Sequence, residues 1–496
     1  MTTSGAEPPP SAAEPPPRES GLAGYFRLAE RGTTVGTEVR AGLTTFMVMA
    51  YIIFVNPNIL SSGPLEGLGP PFLPTAVATA LTAGILCLAM GLVANYPFAL
   101  AAGLGLNAVV AFELILTRGF TWQEAMAVII WEGLIITILV VTGLRQAIME
   151  AIPLNLKRAI AVGIGLFILF IGLVNGGFVV PNENPPHVPP VLPGGITTVA
   201  ALTFALGLAI AIALLALRVR GAILISIVVS TIIAIVLKAI VGAEQSGFLP
   251  TAAVLPTDAS GYFFNFSAEN FSTILQPLGA MLSIWGKGGG PLVVALVIFS
   301  LMLSDFFDTM GTVIGVGEQA GLVDENGRLP GIDRVLLVDS LGAVAGGVMA
   351  TSSNTTYIES AAGVSEGGRT GLTAVVVGIL FLAAILIAPL TGIVPAQATA
   401  PALVVVGFLM FGIAREFDWG DIDEMFPVLA TLIVMPLTFT ITNGIAAGFI
   451  TYVFLKVVRG RAREIHPLMW IVTIGFIIFF AVPWLQGIIS PPPAPA

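Results

Sequence analysis

Two acidic residues, Asp305 and Asp308, stand in LMLSDFFDTMGTVIGV at 301–316, a run otherwise apolar enough to sit in a bilayer. A carboxylate at membrane mid-depth costs roughly 2.5–3.5 kcal/mol on insertion scales, so such a group faces a cavity or a partner and marks function by default. On a helix Asp305, Asp308 and Thr312 fall at i, i+3 and i+7, which predicts one polar face. Further along, TSSNTTYIESAAGV at 351–364 opens polar and then carries Glu359. A helix starting near Asn354 or Thr355 would turn free N–H groups and its positive dipole end to a cavity, with Glu359 about one turn in. An extended 350–353 would add backbone donors and acceptors, tolerable only inside protein or beside water. Plain N-capping by Ser353 or Asn354 is compatible with both. A third stretch, AAGLGLN at 101–107, lets backbone at Ala102 and Gly103 approach a ligand, although small-residue helix packing accounts for it equally. Asn107 in that stretch needs a partner for its amide. Glu113 and Glu132 read as structural, and Thr44 and Thr45 as back-bonded to their own helix. These stretches are expected to meet in one substrate site built from Asp308, Glu359, Asn107, Ala102, Gly103, Asp305, Ser353, Asn354 and Thr355.

The elements that must position them are membrane spans. Of 496 residues 56% are hydrophobic and only 10% charged, against about 25% charged in a soluble domain. Mean hydropathy is +0.97. Apolar runs long enough to cross about 30 Å of hydrocarbon recur throughout, without the alternation of a β-barrel. The fold class is therefore an all-α polytopic membrane protein in a lipid bilayer. The net charge of −9 points to no partner, nucleic acid included, and the one cysteine, Cys87, excludes an internal disulfide. His187 and His466 lie beside prolines, so no metal, haem or other cofactor is expected. No nucleophile–base set stands in the spans, which argues against an enzyme.

Residues 1–21 read as a disordered Pro/Ala/Glu-rich tail without a signal-peptide pattern. Arg18, Arg27, Arg31 and Arg40 precede the first span, which puts the N-terminus in the cytoplasm by the positive-inside rule. Spans are expected at about 39–55, 75–94, 98–116, 122–143, 159–174, 197–217 and 222–241, with Arg145, Lys157, Arg158, Arg218 and Arg220 inside. The Pro-rich loop 175–195 and the stretch 242–290 fall outside. A second set follows at about 292–316, 335–349, 350–365, 372–390, 396–411, 426–442 and 445–458, with Arg328, Arg334, Arg369 and the cluster Lys456–Arg463 inside. The apolar stretch 467–484 lies in the interface or crosses once more. The segments at 98–116 and 350–365 are short and interrupted, and hold the same place in oppositely oriented halves. Such pairs point to a transporter binding site.

SNTTYIE at 353–359, FFDTMGTVIGV at 306–316 and GLTTFMVMAYIIFVNP at 42–57 resemble the nucleobase–cation symporter 2 superfamily, and within it the AzgA-like hypoxanthine, guanine and adenine permeases, over roughly 22–465. The resemblance implies fourteen transmembrane segments in a 7+7 inverted repeat, with short paired strands opening segments 3 and 10. It implies core domains at 36–150 and 290–391 and gate domains at 151–289 and 392–465, leaving 466–496 as a hydrophobic C-terminal segment. By motif the acids that hydrogen-bond the base fall on Asp308 and Glu359. The position of Asp308 is often Glu in relatives, and Asp305 could share or replace its role. The implied activity is proton-coupled uptake of a purine nucleobase by alternating access across the inner (cytoplasmic) membrane, H+ being preferred to Na+, and several members are homodimers. Proton coupling would fall on Asp308, Glu359 and Asp305, since desolvation favours the protonated form of a carboxyl group. A carrier of another small solute or inorganic anion on the same fold is the alternative. It is disfavoured because several acids near the site would repel an anion.

Overall fold

The computed structural model describes residues 21–144, 151–182, 190–242, 246–248, 252–256, 261–287, 289–324, 329–417 and 419–489, with side chains to 481. The N-terminal tail, Arg145, His187 and Arg328 lie outside the described residues. Long apolar runs without interior charge close their own backbone hydrogen bonds as helices, the one open-chain solution available in hydrocarbon. In chain order these are α1 (Gly21–Phe26), α2 (Val35–Met49), α3 (Ile52–Ser61) and α4 (Phe72–Ala89), the last prolonged by a wider turn at Met90–Ala94. Then come strand β1 (Leu100–Ala102), α5 (Leu104–Ala108) with its wider-wound continuation Val109–Thr117, and α6 (Trp122–Thr142). Next are α7 (Leu154–Asn175), strands β2 (Val179–Pro181) and β3 (Val191–Pro193), α8 (Val199–Ala216) and α9 (Ala222–Val241). The second part holds α10 (Pro291–Gln319), α11 (Ile332–Val348), β4 (Asn354–Thr356), α12 (Ser360–Ser365), α13 (Gly371–Ala384), α14 (Ala396–Phe411), α15 (Ile422–Thr438), α16 (Ile441–Val458) and α17 (Pro467–Ile489). Among the described residues ten helical stretches are long and apolar enough to cross a membrane, and Leu104–Thr117 and Pro467–Ala481 are shorter apolar helices. The chain is a mostly helical, polytopic membrane protein.

β1 and β4 pair antiparallel, Leu100 with Thr356 and Ala102 with Asn354, as the short strands expected to open segments 3 and 10. Three expectations are corrected. A second pair, β2 with β3, stands in the loop after α7, so strands are not confined to those two segments. No helix begins at Asn354 or Thr355; α12 starts at Ser360, with Glu359 as its N-cap residue rather than one turn in. Thr355 and Thr356 suit a strand, because β-branched side chains fit a pleated surface. Nor is 350–353 extended: Ala350 (φ 60°) and Ser352 (φ 67°) take left-handed conformations and turn the chain sharply from α11 into β4.

Close packing makes room for that turn. Gly346 and Gly342 of α11 face it, and a Cβ on Gly346 would run into the carbonyl oxygen of Ser352 and the amide of Asn354. A Cβ on Gly342 would lie 2.9 Å from the Asn354 carbonyl oxygen. On its other side α11 lies against α6, where a Cβ on Gly133 would sit 2.5 Å from the Val344 backbone nitrogen. Small residues at helix contacts are how membrane helices approach without a hydrophobic driving force. The stretch 261–287 folds over one end of the bundle, with Trp131 Nε1 donating to the Met281 carbonyl (2.9 Å). α17 packs along the body: Phe476 is buried against Phe449, and the Arg118 guanidinium lies over the Phe479 ring.

A cluster of basic side chains marks the other end. Arg40 and Arg220 both pair with Glu366, and Arg31 donates to the carbonyls of Asn95 and Arg369. The buried Glu38 of α2 accepts from the backbone N–H groups of Arg369, Thr370 and Thr373 and from the Thr373 hydroxyl (2.6 Å), capping α13.

Candidate functional site

The two interrupted segments cross in the interior. All three residues of β1 and all three of β4 are buried. The crossing is extended by Gly103 N–H to the Ser353 carbonyl (2.9 Å) and Tyr357 N–H to the Ala99 carbonyl (2.9 Å). The Ser360 hydroxyl accepts from the Ala99 N–H (3.0 Å), and the Tyr357 hydroxyl donates to the Ala102 carbonyl. A three-residue ribbon has no stability of its own. It persists because these bonds, with those of the ribbon itself, meet its backbone groups inside protein, the condition for irregular backbone at membrane depth.

Beside the crossing lies a cavity of about 90 Å³. One wall carries Ser304, Asp308 and Thr312 of α10, Gly103 and Gly105, and Thr356 to Glu359 after β4. The facing wall is apolar, from Ala161, Ile164 and Ile168 of α7 and Val406 and Met410 of α14. Asp308 is half-buried, and no hydrogen bond or ion pair to it is seen among the described residues. Glu359 is also half-buried, and its Oε1 accepts from the Tyr51 hydroxyl at 2.6 Å. Tyr51 sits at the joint between α2 and α3, where the first span bends. The cavity thus offers two carboxyl groups, hydroxyls and backbone polar groups together with apolar side chains of α7 and α14. That suits a small planar solute with several hydrogen-bonding groups.

The expected residues divide. Asp308, Glu359 and Gly103 line the cavity, and Ala102 adjoins it through its carbonyl. Asp305 does not. The polar face of α10 toward the cavity runs Ser304–Asp308–Thr312, at i, i+4 and i+8, and Asp305 lies a quarter-turn away with Thr309. Asp305 Oδ2 accepts from the Ser353 hydroxyl (3.2 Å), so Ser353 is turned from the cavity as well. Thr355 exchanges a hydroxyl hydrogen bond with Thr309 (2.8 Å), and Asn354 donates to Thr351 Oγ1 and the Ser352 carbonyl, holding the turn. Asn107 is wholly buried, and neither its Oδ1 nor its Nδ2 meets a partner among the described residues. Glu113 pairs with Arg118 at 2.9 Å, the structural role expected of it. Thr45 is buried with its hydroxyl unpartnered rather than back-bonded.

Three residues of the site were not anticipated. Tyr51 and Tyr357 carry hydroxyls into apolar segments, where a buried Tyr needs a partner. Asp339 of α11 is 4% exposed and holds the end of β4, accepting from the Thr356 N–H (2.9 Å), the Thr356 hydroxyl (2.8 Å) and the Thr309 hydroxyl (2.7 Å). A lone acid in LLVDSLGAV carries the same signal as Asp305.

With the geometry described, comparison with other proteins decides the family. The model of a permease family matches residues 36–481. The chain belongs to that family. The match takes in most of α17, beyond the end expected near residue 465. The permease is 40% identical over 464 residues to the adenine permease AdeQ of Escherichia coli strain K12, covering 93% of this chain and 96% of that one. It is 39% identical to the guanine/hypoxanthine permease PbuO of Bacillus subtilis strain 168, covering 91% and 99% respectively. Among solved structures, the transmembrane domain of the cyanobacterial bicarbonate transporter BicA superposes with a TM-score of 0.55 at 16% identity, over 82% of this chain and 97% of that one. The murine anion transporter Slc26a9 superposes with a TM-score of 0.55 at 12% identity, over 85% and 68%. These two likenesses establish a shared fold. The permease is a transporter and not an enzyme.

Proposed function

We propose that this permease takes up purine nucleobases, namely hypoxanthine, guanine or adenine, together with protons, by alternating access. The observation that carries the reading is the convergence of Asp308 and Glu359 on one cavity whose opposite wall is apolar. A purine presents ring N–H donors beside acceptors on its edge and a flat face. The carboxylates and the backbone at Gly103 and Tyr357 match the edge, and Ile164, Ile168 and Met410 match the face. The names of the relatives, adenine and guanine/hypoxanthine permeases, support the same substrate class. Either carboxyl group can bind a proton. Taking one up neutralises the polar wall and lets it move against the apolar one.

In this reading the chain is a 7+7 inverted repeat with β1 and β4 opening segments 3 and 10. The core is 36–150 with 290–391, and the gate is 151–289 with 392–465. The two walls of the cavity support that division, since α7 and α14 fall in the gate and α10, β1 and β4 in the core. Arginines gathered at one end support a cytoplasmic N-terminus in the inner membrane. A homodimer would keep the gates fixed while the cores move. Asp308 and Glu359 bind the base, while Asp305, Ser353, Asn354 and Thr355 support the crossing from behind.

The test is accumulation of labelled hypoxanthine, guanine or adenine by cells lacking their own purine carriers, with and without an uncoupler. Glu359→Gln and Asp308→Asn are each expected to lower uptake roughly 10–100-fold, the scale of one hydrogen bond to a charged group. Wild-type uptake by both variants, or uptake suppressed by bicarbonate or sulfate rather than by purines, overturns the reading.

A further inference from the structure

We propose that the end of the molecule covered by 261–287 carries a second, weaker purine site, a vestibule in which Asn58 reads the edge of the base before it reaches the deeper cavity. The inference rests on the transport reading above and deepens it with a site that shares no lining residue with the central cavity.

The vestibule is a cavity of about 1120 Å³. The end of α3, the loop after it and the starts of α4 and α6 line one side, and 247–252 and 392–397 line the other, together with Gln276. In the division proposed above the first side is core and the second is gate. The vestibule and the central cavity lie along the same two helices. On α3 seven residues separate Tyr51 from Asn58, about 10 Å of helix, and on α14 nine separate Gln397 from Val406, about 14 Å. α3 and α14 pack together, with Ile52, Val55, Ala400 and Leu403 buried between the two levels.

The lining selects the ligand. Asn58 is 8% exposed and borders the cavity. Its Nδ2 donates to the Phe54 carbonyl (2.8 Å), and its Oδ1 has no partner among the described residues. An amide held in this way keeps an acceptor beside its second N–H for a ligand, the pattern that pairs with a donor beside an acceptor on a base edge. Gln123 and Gln397 add amides from the two sides. Gln123 gives one N–H to Gln276 Oε1 (3.3 Å), and the Gln397 side chain makes no hydrogen bond among the described residues. α4 and α14 begin here without a side-chain cap, which leaves N–H groups for the acceptor atoms of a base. Trp122 and Phe72 supply aromatic surface for its face. The lining holds Glu66 and no lysine, arginine or histidine, so it suits a neutral solute and not an anion. Hydrogen bonds between neutral groups are about half as strong as those to a carboxylate. Glu66 and Gln276 are exposed, so the vestibule is also wet. Both make binding weaker here than beside Asp308 and Glu359.

A thiol at the rim tests this in the full-length protein. Cys87 is buried, so Glu66→Cys adds a single reactive cysteine. In right-side-out vesicles it is expected to react with an impermeant maleimide, and hypoxanthine at twice the vestibule Kd is expected to slow the reaction roughly threefold. The same slowing is expected with Glu359→Gln added, which cripples the central site, and is expected to vanish with Asn58→Leu added. Gln397→Leu, on a half-exposed side chain, repeats that last step without touching the packing of α3. Hypoxanthine without effect on Glu66→Cys, protection lost in Glu359→Gln, or protection kept in both Asn58→Leu and Gln397→Leu overturns the proposal. In whole cells Gln397→Leu is expected to raise the KM for hypoxanthine roughly fivefold and leave the maximal rate as it was, because the vestibule captures the base and takes no part in the crossing. A lowered maximal rate with KM unchanged overturns that role. Absence of purine transport by the wild type would instead defeat the transport reading, and the labelling would still decide whether the vestibule binds purine.

Discussion

Tyr51 and Glu359 illustrate how one hydroxyl sets the chemistry of a carboxyl group. The 2.6 Å bond from Tyr51 fixes which Glu359 oxygen remains for substrate. Tyr51→Phe removes a hydrogen bond to a charged group, worth about 1.5–3 kcal/mol. It is expected to raise the KM for labelled hypoxanthine roughly tenfold or more. Combined with Glu359→Gln the two losses should be strongly non-additive, as residues in one network are. Additive effects in that double-mutant cycle would show that the bond does not matter for binding. Glu113 makes the contrasting case of a buried acid with its own cation. Arg118→Ala strands a fully buried carboxylate and is expected to cost about 3–5 kcal/mol, read as a lowered Tm in detergent with any folded fraction still binding purine. Both are glutamates in interrupted segments. What separates their roles is whether a base stands beside them.

At the scale of elements, the β1–β4 crossing depends on how close α11 can come. Gly346→Ala puts a methyl group where the Ser352 carbonyl oxygen now stands. Overpacking of this kind costs typically 1–3 kcal/mol. Uptake should fall together with Tm, and a fully active, fully stable Gly346→Ala protein would mean the turn has another place to go. α10 carries a second feature of this scale. Beyond Asp308, toward Gln319, its cavity-side face is open at Gly311 and Gly315, with no atom within 4 Å of a Cβ built at either. Toward Pro291 the same face is closed at Ser304 and Leu301. The open end is also the basic end, since the Gln319 amide reaches the Ala361 carbonyl (3.5 Å), next to the Arg40–Glu366 pair. A route from the cavity is therefore expected along Gly311 and Gly315.

For the whole molecule that expected route gives a test of which way the structure faces. Cys87 is the one cysteine and is completely buried, so an introduced thiol can be read against a silent background. Gly315→Cys is expected to react with a membrane-impermeant maleimide in inside-out vesicles and far more slowly in right-side-out ones. Purine should slow the reaction. Labelling from the opposite side would reverse the orientation derived from the arginines, and labelling that purine leaves untouched would remove Gly315 from the route.

The helical, membrane-spanning character was legible in the sequence because apolar length and the lack of interior charge are local properties that hydrocarbon reads directly. So was the choice of Asp308 and Glu359 as candidates, since an acid without a cation in such a run is conspicuous wherever it points. The direction each acid points was not legible. Asp305 and Asp308 differ by a fraction of a helical turn, and packing of α10 against α6 and β4 assigns one to the interior and the other to the cavity. The strand at Asn354–Thr356 followed from the family resemblance and not from the local residues. Three residues make no strand alone, and these pair with Leu100–Ala102, which only the folded chain brings alongside.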